Sequence, residues 1–132
     1  MSLHHYSIAL FVQRLCVCVI FWAHGMMKAP MRKMQPSEQL PASALRNLKM
    51  LSITEPLGAV AIALGLLTQL TAFCFVLVMI GAIQYKRKTK LPFMSKGSAG
   101  GWEFELLLLV ASLSVVLLGP GRISLDHLLF GI

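Results

Sequence analysis

The sequence predicts an all-α fold: an integral membrane four-helix transmembrane bundle forming one domain over residues 1–132. Composition and patterning predict it. Hydrophobic residues make up 57% of the chain and charged ones only 13%, whereas a soluble domain is about half apolar and a quarter charged. So little charge cannot coat a water-facing surface. The apolar residues are also gathered into runs, with mean hydropathy +0.75, which makes lipid the natural solvent. A soluble bundle of two very long helices is the alternative, and it would leave lipid-like faces in water on all sides.

Four segments supply the helices, each approaching the roughly 20 residues that a bilayer crossing needs. The first, 7–27, is longer than the apolar core of a secretion signal, carries Arg14 and precedes no clear cleavage site, so it reads as a retained helix. The connection 28–50 follows. In it Pro41 introduces Ala42 to Lys49, which reads as a short helix lying on the membrane surface. Segments 51–68 and 70–85 come next, so close together that they must form a tight helical hairpin. Pro56 lies early in the second segment, where the helix either starts or kinks, with Ser52 or Thr54 serving the backbone group it frees. The glycine-rich stretch 96–101 reads as a flexible loop. The fourth segment, 102–118, is stopped by Gly119-Pro120-Gly121.

Charge orients the bundle. Lys28, Arg32, Lys33, Arg46 and Lys49 lie in the first connection, and Lys86, Arg87, Lys88, Lys90 and Lys96 in the third. The second connection has no basic residue. The positive-inside rule therefore puts the first and third connections in the cytoplasm and both termini outside. The net charge of +7 belongs to this pattern and not to nucleic acid, since no aromatics interleave the basic residues. Cys16, Cys18 and Cys74 sit in apolar runs without a CxxC and read as buried fillers. Met26, Met27, Met31 and Met34 near His24 resemble a soft-metal cluster, but methionine is common in boundary packing, so no metal site is expected.

Ionisable residues in a bilayer mark sites because they cost several kcal/mol without a partner. One group gathers at the cytoplasmic side: His24 and Lys28 on the first helix, Glu55 on the second, Glu103 and Glu105 on the fourth. Helical phase sets Glu103 and Glu105 on nearly opposite faces, so only one glutamate can face the bundle centre, and His24, Lys28, Glu55 and Glu103 form the expected cluster. Such a group can pass protons to a quinone or hold a small anion, or it can be an ion-pair network that fixes packing. Arg14 lies deep near the other side and needs an anion, for which Asp126 is the acid at hand. Gly58, Ala61, Gly65 and Gly81 allow close backbone approach between helices.

Several of these residues carry a family likeness. Arg14-Leu15, His24-Gly25 and Lys28, Glu55 with Gly58, Leu64-Gly65-Leu66-Leu67-Thr68, Met79, and Gly101-Trp102-Glu103 lead to the terminal Gly119-Pro120-Gly121-Arg122-Ile123-Ser124-Leu125-Asp126. The chain resembles the DoxX family of small four-helix membrane proteins over nearly its whole length. It departs at Gln69, where the family usually has arginine, and at Pro56, where an aliphatic residue is usual. The resemblance implies an integral membrane subunit of a bacterial redox complex, structural or quinone-contacting and placed in the inner membrane, with other subunits or further copies of the chain as partners. Some relatives form the membrane subunit of thiosulfate:quinone oxidoreductase, and an assembly or scaffold role is the third reading.

Overall fold

The computed structural model describes residues 3–97 and 100–131. Its elements are α1 (Leu3–Met27), a 3₁₀ turn (Ala29–Lys33), α2 (Ala42–Leu64), α3 (Thr68–Lys88), α4 (Glu103–Leu118) and the short α5 (Leu125–Phe130). The described residues are helices and loops. α1 packs most extensively on α2, and α3 on α4, while α2 and α3 touch less. Phe21 of α1 and Phe75 of α3 stack across the centre at 3.7 Å between ring centroids. Around them Val17, Ala59, Ile62, Ala72, Met79, Leu108 and Val115 close the core.

Among the described residues two stretches are long and apolar enough to cross a membrane, His4–Lys33 and Thr68–Lys88. α2 has 23 residues but carries Arg46, Lys49 and Glu55, and α4 has only 16. Along their central turns the long helices present a mainly apolar outer surface, with Val19, Leu57, Leu70 and Leu117 among its exposed side chains. Cys16 and Cys74 belong to that surface, which corrects their assignment as buried fillers. An apolar run implies burial in protein only when water is the alternative; here the outside is apolar too.

The second helix also differs from expectation. No separate surface helix precedes it: α2 begins at Ala42, with Pro41 at its N-cap, and runs unbroken past Pro56. A proline has no N–H for the carbonyl four residues earlier, here Ser52 O. Arg32 from the 3₁₀ turn supplies the missing donor, its Nη2 bonding Ser52 O and its Nε reaching Ser52 Oγ at 2.8 Å. Opposite, the Pro56 ring lies against Gly25, where an added Cβ would come within 2.3 Å of Pro56 Cδ. Pro56 is thus held by a glycine on α1 and an arginine before α2. The α2–α3 turn lies earlier than the sequence suggests, with Gly65 (φ +71°) and Leu67 (φ +48°) left-handed and α3 starting at Thr68.

Candidate functional site

Each end of the bundle holds one polar constellation. At the end of the α2–α3 turn, the C-terminal segment folds back over the helices. The N–H groups of Leu67 and Thr68 donate to Asp126 Oδ1 and Oδ2 at 2.7 and 2.8 Å, and Asp126 N–H donates to Gly65 O at 2.8 Å. A carboxylate from 58 residues away thus caps the start of α3, where unpaired amides and the helix dipole favour an anion. Burial disfavours the Asp126 charge, but the Thr68 and Leu67 amides and the nearby Arg14 charge outweigh it and hold this carboxyl below its ordinary range.

Arg14 is fully buried beside this turn and bonds Ile123 O through Nη2. It and Asp126 share the knot while binding different main-chain groups. Phe11 covers its guanidinium at 5.7 Å, and Gly65 makes room for it, since a Cβ there would lie 1.9 Å from Arg14 Nη1. Tyr6 Oη to Leu118 O and Gln69 Nε2 to Val116 O, both 2.8 Å, complete the clasp.

The opposite end is built differently. Lys28 Nζ meets Glu55 Oε2 at 2.5 Å and Lys86 Nζ meets Glu105 Oε1 at 2.7 Å. Lys86 also donates to Gly101 O at 2.7 Å. His24 stands within electrostatic reach of all four charges and stacks on Phe104 at 5.7 Å. His24, Lys28, Glu55 and Glu105 line one side of a cavity of about 580 Å³ between α2 and α3. Leu51, Leu77, Val78, Met79 and Tyr85 form its apolar wall. Gly81, expected as a packing contact, has nothing within 4 Å of a Cβ position and lines the cavity instead.

His24, Lys28 and Glu55 all line this cavity, with Lys28 and Glu55 paired. The glutamate from α4 that joins them is Glu105, 6% exposed, on a buried stripe with Leu108, Ser112 and Val115. Glu103 points elsewhere: its Oε1 accepts the Ser95 N–H at 2.9 Å and ties down the loop before α4. That loop is also held by Trp102 and Glu103 N–H groups on Phe93 O and by Ser95 Oγ accepting from Gly101 N–H. Ser98 and Ala99, within the stretch read as flexible, lie outside the described residues. Lys86 escaped sequence reasoning because it looked like one more positive residue in a basic connection.

Glu55 and Glu105 each give one oxygen to a lysine, while Glu55 Oε1 and Glu105 Oε2 are buried and have no hydrogen-bond partner. Buried acceptors rarely stay unpaired. Both glutamates line the cavity, where a side-chain rotation would offer these oxygens to a hydrogen-bond donor. Among the described residues no group of three or more His, Cys, Asp or Glu side chains is placed to hold a metal ion.

Apolar helices with a polar cavity opening between them define an all-helical membrane protein. Within that class, residues 9–86 match the DoxX family model. The chain is also 31% identical over 128 residues, 95% of its length and 90% of the relative's, to the Bacillus subtilis (strain 168) protein named "Putative oxidoreductase CatD". It belongs to the DoxX family. No solved structure matches it.

Proposed function

We propose that this chain is a quinone-contacting membrane subunit of a bacterial redox complex, with the α2–α3 cavity as the contact site. The observation that carries the reading is a pair of buried glutamates, Glu55 and Glu105, which line an apolar-walled cavity and each keep one carboxylate oxygen without a partner. A volume near 580 Å³ suits a small-molecule site. The residues fit the ligand: the apolar wall takes a ring, the free oxygens accept from hydroxyl groups, and Lys28 offers a donor. Two-electron reduction of a quinone consumes two protons. The electrons come from a partner subunit, and His24 with the two carboxylates handles the protons at the membrane boundary. The oxidoreductase name of the Bacillus subtilis relative is consistent with this role.

In this reading α1 to α4 all cross the inner membrane, the basic connections face the cytoplasm and both termini lie outside. The short α4 is accommodated by local thinning. Sulfur transfer, as in a thiosulfate-oxidising subunit, calls for an activated thiol at a site, and Cys16 and Cys74 are instead on the outer face.

The test is calorimetric titration of the purified chain in detergent with a short-chain quinone and its hydroquinone. Glu55→Gln should weaken hydroquinone binding about tenfold or more, as expected for loss of a hydrogen bond to a charged acceptor. If wild-type protein bound neither form and always purified alone, the reading would be wrong. An assembly or scaffold role predicts lower partner yield in the variant with no quinone binding at all.

A further inference from the structure

A second concavity lies at the start of α2, on another face of that helix from the quinone cavity, with Met50 at the border of both. It measures about 480 Å³, with Gln35 and Pro36 on one side and Arg46, Lys49, Met50 and Ile53 on the other. Residues 46, 49, 50 and 53 recur at helical spacing and therefore form one stripe of α2. The stripe continues through Leu57, Val60 and Leu64, which are exposed, as are Met50 and Ile53.

Charge and hydropathy are thus sorted along this face. Its first turns carry two cations, and everything beyond is apolar. From Ile53 to Leu64 the helix rises about 16 Å, close to half of the roughly 30 Å hydrocarbon core. Glu38, the acid of the same connection, is not among the lining residues. Among the described residues the ion pairs are Lys28–Glu55 and Lys86–Glu105, so Arg46 and Lys49 have no acidic partner.

We propose that this groove is a binding site for one anionic phospholipid. Its phosphate sits between Arg46 and Lys49, its glycerol region lies against Met50 and Gln35, and an acyl chain follows the Ile53 to Leu64 face. The site differs from general attraction of basic residues to an anionic surface in offering a headgroup seat and a chain track in register on one helix.

The test reconstitutes the full chain in phosphatidylcholine nanodiscs doped with phosphatidylglycerol and counts retained lipids by native mass spectrometry. Wild-type protein should retain one phosphatidylglycerol in preference to phosphatidylcholine. Arg46→Gln with Lys49→Gln should weaken retention roughly thirtyfold, about fivefold for each charge near an anionic surface. Arg87→Gln with Lys88→Gln removes the same charge from the end of α3 and should change retention less than threefold, with thermal melts verifying that both variants fold. Equal losses in the two variants would overturn the site. So would equal retention of the neutral lipid, or displacement of the bound lipid by millimolar inorganic phosphate, which would reduce the groove to an anion seat.

Discussion

The two ends of this bundle both bury charge, and they leave opposite kinds of atom unpaired. At the clasp, the unpartnered atoms include Arg14 Nε and Nη1, both donors, walled in by Phe11, Gly65 and Ser124. At the cavity they include Glu55 Oε1 and Glu105 Oε2, both acceptors, on side chains that line an open volume. An orphaned polar atom therefore indicates a ligand only where there is room for one. The clasp spends its charge on holding backbone together, and the cavity keeps part of its charge free.

Glycine substitutions separate the ends most sharply. Gly65→Ala should do the greatest damage, because its φ of +71° disfavours any side chain and a Cβ would lie 2.4 Å from Ser124 Cβ as well as against Arg14. A loss of several kcal/mol, seen as failure to recover folded protein from membranes, is expected. A folded Gly65→Ala protein with an unchanged melting temperature would show that the clasp is loose.

Asp126→Asn comes next. It removes the anion from two amide bonds and from the vicinity of buried Arg14, and should cost about 3 kcal/mol by thermal melt. The same carboxyl gives a pH signature. Its folded pKa lies below its ordinary 3.8, so its contribution is complete above the unfolded value and disappears as pH falls through the folded one. Wild-type protein should therefore lose stability below about pH 4, and Asp126→Asn should lack that part of the acid limb.

Glu105→Gln should affect stability less, by about 1 to 2 kcal/mol. Its partner Lys86 has a 25% exposed side chain and retains the Gly101 carbonyl. Hydroquinone affinity should nevertheless fall about tenfold. A stability loss as large as that of Asp126→Asn, with affinity intact, would make the cavity end a second clasp.

The smallest structural effect belongs to Gly81→Ala. The added methyl meets nothing within 4 Å, and alanine favours a helix over glycine by up to about 1 kcal/mol. The variant should melt no lower than wild type and still bind quinone more weakly, because it takes space from the cavity. Comparing its melting curve with its titration separates packing from binding.

Much of α1 was legible from phase alone. The arc from Arg14 through Phe21 and Gly25 to Lys28 is the face turned inward, with Arg14, Phe21 and Gly25 buried. Phase on α4 was ambiguous, since Glu103 and Glu105 each begin a plausible stripe. Serine gave no tie-break, because Ser112 shares a face with Glu105 and Ser114 shares one with Glu103. The start of α2 was obscured by Arg46 and Lys49, which read as interfacial although the backbone is continuous there. Interhelical partners such as Lys86 with Glu105 and Arg32 with Ser52 O were hidden for another reason: they depend on which helix ends meet, and sequence spacing does not encode that. The opposite roles of Gly65 and Gly81 were equally invisible, since a glycine that admits a neighbour and one that leaves a void look alike in one dimension.

The Asp126 cap also sets an order of events during biosynthesis. The amides of Leu67 and Thr68 receive their partner only after 58 further residues have been made, a delay of roughly 3 to 12 s at ordinary translation speeds. Until then the hairpin is already translated but its turn is open, and water at the membrane edge must serve those two N–H groups. A chain stalled before Asp126 would carry a complete cavity lining and an unfastened turn, which gives quality-control proteases a means of telling unfinished copies from finished ones.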